Sequence, residues 1–231
     1  MKKIAVIILL TAIATAAKAV DYQVETIVFE QLNADTDSEL WQIEGVLPAL
    51  PESIDLLPRD EILAETGQKP VNQFVIQPMG NYKLTALYNS LMVSSKYRPL
   101  MHLAWEQPAL DQGEAEYVRL TLLEQPEPDP NGANYDDLAR LAGTIRIRSS
   151  HFLHADVHLL YLIDPLPLNS IYKDQDNQNQ DQESLIIPEY QASYAEMKET
   201  RRIKLNELYY FDHPGFGLIL RVSRIEQDSG L

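Results

Sequence analysis

The sequence contains no cysteine, which excludes a disulfide framework and a lipid-modified N-terminal cysteine alike. Stability must therefore come from an ordinary apolar core, and 231 residues with 45% apolar content can supply one. Positive charge is scarce too: 19 Lys and Arg stand against 34 Asp and Glu, a formal net charge of -15. A surface of that sign repels phosphate backbones and anionic lipid faces, which argues against nucleic acid and membrane-surface partners. Long apolar runs are missing after Ala17. The best later stretch, Leu153 to Ile163, is broken by Asp156 and two histidines, so nothing there matches the ~20 apolar residues a spanning helix needs. No G-x-S-x-G nucleophile motif occurs either.

What is present begins with a three-part N-terminus. Lys2 and Lys3 are followed by an apolar run from Ile4 to about Ala17 and by the small-x-small sequence Ala17-Lys18-Ala19. This is the pattern of a cleavable secretory signal over residues 1–19, its apolar run too short for a membrane anchor. Cleavage removes Lys2, Lys3 and Lys18 and makes the chain more acidic still. Residues 20–231 are expected to form a single domain with long polar loops and a mobile insertion near 170–186, where Lys173 to Ser184 holds no apolar residue.

Tyr22 to Glu30 reads as a strand in which Val24 and Val28 share one face and Glu25, Ile27 and Phe29 the other. A carboxylate in that second row calls for a sheet edge or a partner. From about Asn33 to Val71, prolines and acidic residues predict loops and short helices, with Asp60 a possible cap for Glu61 to Glu65. Leu84, Leu87, Tyr88, Leu91 and Met92 recur at helical spacing within Gly80 to Lys96, and Pro99 stops the pattern. Strands follow at Leu100 to Glu106 and Tyr117 to Glu124, then a turn-rich loop at Gln125 to Asp136. Leu141 to Ile147 and Leu153 to Ile163 alternate as a hairpin. Its polar rows must face each other, so only registers of even residue sum survive, with Arg146 or Arg148 opposite or diagonal to Asp156. Strands at about Met197 to Leu205 and Phe216 to Ile225, joined by a loop over Asn206 to Gly215, close the chain. The sum is an α+β fold: a mostly antiparallel β-sheet with one main helix packed on it. A β-sandwich is the alternative, and the helix argues against it.

Four constellations bear on chemistry. His154, Asp156 and His158 lie on one strand face, ~6.6 Å apart along the strand, too far for all three to hold one metal; the plainer role is a half-solvated face where an arginine neutralises Asp156. Glu207, Tyr209, Tyr210, Asp212 and His213 concentrate carboxylates, aromatics and a histidine before Pro214, either as a binding loop or as turn chemistry with Gly215 and Gly217 in unusual dihedrals. An enzyme would use Glu207 or Asp212 as general base beside His213. Lys198, Arg202 and Lys204 share a strand face with Arg201 beside them. This basic strip either balances acidic neighbours or reads an anionic ligand, for which arginine offers a bidentate fork. His102 and Trp105 end a strand, where Trp105 is either core or, if exposed, a stacking platform for a sugar ring.

At these segments the chain resembles the CsiV family of periplasmic peptidoglycan-binding proteins of Gram-negative bacteria. The likeness rests on Tyr22-x-Val24-Glu25-x-Ile27-Val28-Phe29 and Glu39-Leu40-Trp41, then His102-x-x-Trp105-x-Gln107-Pro108 and Phe152-Leu153-His154. It ends with Arg201-Arg202-Ile203-Lys204, Glu207, Tyr210, Asp212-His213-Pro214 and Phe216-Gly217. Tyr209 stands where a histidine is expected, and His151 and Lys204 where arginines are usual. The resemblance implies peptidoglycan binding and a functional link to the outer-membrane lipoprotein that activates a bifunctional penicillin-binding synthase.

The leading expectation is thus a non-catalytic periplasmic protein that binds peptidoglycan, with no cofactor and no metal. Its candidate ligand residues are Arg201, Arg202, Lys204, Glu207, Tyr209, Tyr210, Asp212, His213, His102 and Trp105. The rivals are a protein–protein adaptor, which would show an exposed apolar patch on the sheet, and a wall hydrolase or metalloenzyme using His154, His158, Glu207 or His213.

Overall fold

In a computed structural model of the chain, residues 21–33, 42–58, 74–124, 138–167, 171–172 and 191–225 are described. The expected signal sequence, the Asp60 cap, the Gln125 to Asp136 loop and the insertion beyond Tyr172 lie outside them.

The alternation in Tyr22 to Glu30 does form a strand, β1 (Asp21–Gln31), and it sits in the middle of a sheet. Around it are β3 (Val75–Ile76), β4 (Tyr97–Pro108), β9 (Leu208–Asp212) and β10 (Phe216–Arg224), in the order β3-β4-β1-β10-β9. A second five-stranded sheet runs β2-β8-β7-β6-β5, built from β2 (Ile43–Val46), β5 (Val118–Glu124), β6 (Leu138–Ser149), β7 (Leu153–Pro167) and β8 (Gln191–Ile203). All pairings between these strands are antiparallel.

The main core lies between the sheets. Val24, Val28, Trp105, Leu218 and Leu220 of the first meet Leu141, Ile145, Val157, Leu159 and Met197 of the second. The helix α1 (Thr85–Met92) covers the other face of the first sheet, where Leu84 and Leu91 pack on Ile27 and Phe29. The α+β expectation holds, with the helix on the sheet. The two-sheet arrangement it seemed to exclude is present as well, because the helix covers an outer face and leaves the inner one to the second sheet.

Glu25 explains how helix and sheet are joined. It is 1% exposed. Its Oε2 accepts the Lys83 N–H at 2.7 Å, and its Oε1 accepts the Leu84 N–H at 2.8 Å and lies 2.8 Å from His102 Nε2. A carboxylate in the apolar row is thus paired, and it holds the Lys83-Leu84 backbone that leads into α1.

Several boundaries differ from expectation for local reasons. The helix ends at Met92, and Pro99 lies inside β4. There the register against β1 shifts between Val28 and Phe29, and β3 pairs only at Trp105 and Glu106, so the proline sits at a bulge on an unpaired edge. The Asn206 to Gly215 segment contains a strand, β9, which forms a hairpin with β10. His213 and Phe216 exchange backbone hydrogen bonds across Pro214-Gly215. Neither Gly215 nor Gly217 has a positive φ, unlike Gly45 at 142°. Gly217 is needed for space, since a Cβ there would lie 2.7 Å from the Phe29 ring and 2.8 Å from the Tyr210 ring. Tyr172, at the start of the expected mobile insertion, is docked: its hydroxyl accepts the Gly143 N–H at 2.9 Å.

Candidate functional site

Alternation decides where each expected ligand residue points, and it separates them. Trp105 is fully buried between the sheets, its Nε1–H donating to Gln107 Oε1 at 2.8 Å. It is core and offers no face to a sugar. His102 is on the opposite side of β4, enclosed by Glu25 and the rings of Tyr82 and Tyr88, each 4.8 Å from its own. Its role is to tie α1 to the sheet.

Arg201 and Arg202 project to opposite sides of β8. Arg201 turns toward the core side, its guanidinium 4.7 Å from the Phe211 ring centroid. It donates to Glu199 Oε2 at 2.8 Å and to the Tyr210 carbonyl at 2.6 Å, bridging the two sheets where β8 passes into β9. Lys204, Glu207 and Tyr209 close that turn. Lys204 Nζ is 3.2 Å from Glu207 Oε1, and the Tyr209 hydroxyl donates to Glu207 Oε2 at 2.8 Å while accepting the Lys204 N–H. The Tyr209 hydrogen bond and then Lys204 hold the exposed Glu207 carboxyl below its ordinary range.

Tyr210 and Asp212 are on the outer side of β9, beyond the end of the helix. The Tyr210 hydroxyl donates to Asp212 Oδ1 at 2.6 Å, Gln31 Nε2 donates to the same oxygen at 3.0 Å, and the Tyr210 ring stacks on Phe29. Burial, then the Asp212 carboxylate, pushes the Tyr210 phenol well above its usual value. His213 packs beside Phe216, its Nδ1 accepting the Gly215 N–H at 3.2 Å, and burial lowers its pKa against the opposing pull of Asp212. Trp105, Tyr209 and the basic strip therefore share no single surface.

What the register does bring together is the outer face of the second sheet. Three antiparallel rows cross β6, β7 and β8: Thr144–His158–Lys198, Arg146–Asp156–Thr200 and Arg148–His154–Arg202. The even-sum hairpin register is observed, and both arginines reach Asp156. Arg146 Nη2 is 2.8 Å and Arg148 Nε 2.9 Å from Asp156 Oδ2, and Thr200 Oγ1 donates to Oδ1 at 2.8 Å. Burial acts to raise the Asp156 carboxyl, but the hydrogen bonds from Arg148, Thr200 and Arg146 prevail and hold it below the usual carboxylate range. His158 Nε2 meets Glu196 Oε1 at 2.8 Å, and burial keeps its pKa below normal. Aromatic rings lie under two of the arginines: Arg146 is 4.2 Å from the Tyr117 centroid and Arg202 3.1 Å from that of Phe152. Arg202 and Lys198 are exposed, and neither pairs with a carboxylate among the described residues.

Further along, the same face turns apolar. Leu160, Leu162, Ala192 and Tyr194 are covered by Leu47, Leu50, Leu166 and Ile171. Half of this face is thus packed over, and the other half is basic: its Thr144, Asp156 and His158 are buried, and its β8 edge presents the exposed Lys198, Thr200 and Arg202. Strand alternation puts Arg202 and Lys198 on a common face, but their place beside Arg146, Arg148 and His154 depends on β7 pairing with β8 across a long connection, for which there is no local signal. Among the described residues no group of three or more His, Asp or Glu is arranged to hold a metal ion, and no helix is long and apolar enough to cross a membrane.

These observations define, among the described residues, a two-sheet antiparallel protein with one covering helix and a basic, aromatic-backed outer face. Residues 2–225 match the profile of the family described as "Peptidoglycan-binding protein, CsiV", and the chain belongs to that family. No curated protein and no solved structure matches it.

Proposed function

We propose that this protein is a non-catalytic, periplasmic peptidoglycan-binding protein that supports cell-wall synthesis. It does so in functional connection with the outer-membrane lipoprotein activator of a bifunctional penicillin-binding synthase. Family membership across residues 2–225 carries the proposal. The basic, apolar and small-residue pattern of residues 1–19 supports export to the compartment where the wall lies.

The side-chain chemistry agrees with binding rather than bond cleavage. A general base needs a carboxylate or imidazole free to meet a reacting proton. Glu207 is engaged by Lys204 and Tyr209, Asp212 by Tyr210 and Gln31, and Asp156 by two arginines and Thr200. Glu25 beside His102 and Glu199 beside Arg201 are engaged in the same way, so each of these carboxylates is committed to structure.

Co-sedimentation of the processed protein with purified sacculi tests this directly. Retention above that of an acidic non-binding protein at moderate salt, with no release of soluble muropeptides, is expected. Absence of retention, or release of muropeptides, contradicts it. The link to the lipoprotein is tested by co-purification of the two from detergent-solubilised envelopes, and failure to co-purify under conditions that preserve wall binding removes that part.

A further inference from the structure

We propose that the exposed β8 side of the second sheet's basic outer face reads the peptide-stem carboxylates of peptidoglycan, with Arg202 and Lys198 as the contact cations and Arg146 and Arg148 as the fixed positive field behind them. This inference rests on the peptidoglycan-binding function proposed above and assigns it a surface.

Charge segregation is the first observation. In a chain with 34 acidic and 19 basic residues, an average patch is acidic. The three rows on this face and the Glu196 beside them instead hold Arg146, Arg148, Lys198 and Arg202 against two carboxylates, Asp156 and Glu196, the second engaged by His158 at 2.8 Å. Asp156 is saturated by Arg146, Arg148 and Thr200, so it cannot also neutralise the outer cations. Folding does not require Lys198 and Arg202 to be basic, because neither stabilises an ion pair with a described residue.

Preorganisation is the second. A guanidinium on a flexible stem loses rotamer freedom when it binds, and stacking on a ring reduces that loss. The Phe152 ring lies under the Arg202 guanidinium at 3.1 Å, and Phe152 is itself 48% exposed in the β6–β7 turn. A large apolar ring kept at the surface beneath an unpaired arginine suits a ligand that combines a carboxylate with an apolar or sugar face.

Geometry sets the ligand's size. Neighbouring strands are ~4.8 Å apart and alternate residues ~6.6 Å apart along a strand. Arg148 and Arg202, two strands apart, are thus ~10 Å from each other, with His154 between them, and Lys198 is ~13 Å from Arg202 along β8. Carboxylates spaced along a short extended peptide match these intervals. A smooth glycan chain, which has no such charges, does not. The β9 cluster is a weaker candidate because its polar groups satisfy one another.

The test uses the processed full chain and two forms of sacculi: intact, and amidated at their stem carboxylates by carbodiimide coupling. The variants are Lys198→Gln with Arg202→Gln, and a charge-matched control, Lys83→Gln with Lys96→Gln, on the helix side. Thermal melts confirm that each is folded. At least a fivefold loss of affinity, relative to wild type on intact sacculi, is expected for the Lys198/Arg202 double variant on intact sacculi and for wild type on amidated sacculi, with the control unchanged. If wild type binds intact sacculi and either the double variant or the amidated wall binds as well as the unaltered one, the assignment of this face is wrong while peptidoglycan binding stands. If wild type itself does not bind intact sacculi, the functional proposal falls, and the assignment with it.

Discussion

Replacing Glu25 by glutamine changes one atom in a buried site whose three donors all depend on the carboxylate. Oε2 faces the Lys83 N–H, and Oε1 faces the Leu84 N–H and His102 Nε2, at 2.7 to 2.8 Å. A glutamine amide presents one oxygen and one NH2 group, so in either orientation at least one N–H donor meets another donor. Hydrogen bonds to charged groups contribute about 1.5–3 kcal/mol, and a buried donor left unpaired costs about 1–3 kcal/mol. A loss of about 2–3 kcal/mol is expected for Glu25→Gln, and about 4 kcal/mol for Glu25→Ala, which adds a cavity and frees all three donors. For a domain of this size each kcal/mol corresponds to about 2–4 °C in Tm, so Glu25→Gln should melt roughly 4–12 °C lower. Urea unfolding and calorimetry measure both. Because His102 is enclosed beneath α1, well away from the basic face, binding to sacculi should be unchanged while the protein remains folded. A Glu25→Gln protein within about 0.5 kcal/mol of wild type would refute the role given to this carboxylate, and one that is stable but does not bind would return His102 to the ligand site.

Asp156→Ala leaves Arg146 and Arg148 without their shared anion at a buried site, and a loss of about 3 kcal/mol in urea unfolding is expected, toward the low end for a broken buried pair because both arginines keep some contact with solvent. Gly217→Ala forces a methyl against Phe29 and Tyr210, and about 1–2 kcal/mol should be lost, more than for Gly80→Ala, where nothing lies within 4 Å. Burial lowers the folded pKa of His158, so its contribution to stability is full above the unfolded value of about 6.5 and is lost as pH falls through it toward the folded value. Melting temperature should therefore fall between about pH 7 and pH 5, and His158→Gln should flatten that slope. At still lower pH the depressed carboxyl of Asp156 works in the same direction: its contribution is complete above about pH 4 and disappears as it protonates.

The parts of the fold that were legible in the sequence are those set by local periodicity. The β6–β7 register followed from the need to match polar rows, and Arg146 opposite Asp156 followed from it. Alternation marks Glu25 as a carboxylate that needs a partner, although nothing local identifies the Lys83 and Leu84 N–H groups as that partner. The first residues of β8 were missed because Gln191-Ala-Ser-Tyr-Ala is small and polar, yet Ala192 and Tyr194 are buried by β2 and Leu47. The sequence over β9 reads as a loop because Asp212-His213-Pro214-Gly215 is turn chemistry. The turn is real but only two residues long, and the aromatic residues before it pair with β10. Within the candidate site, strand parity alone would have parted Arg201 from Arg202 and Tyr209 from Tyr210. Grouping them by proximity in sequence placed residues of opposite faces in one site.

The most direct measurement of the central claim is an amide and arginine side-chain chemical-shift titration of the processed protein with a soluble muropeptide carrying free stem carboxylates. Shifts centred on Phe152, His154, Lys198, Thr200 and Arg202, with the Arg202 Nε signal among the largest, are expected. Shifts confined to the Tyr210 to His213 segment, or to the helix side around His102, would contradict it.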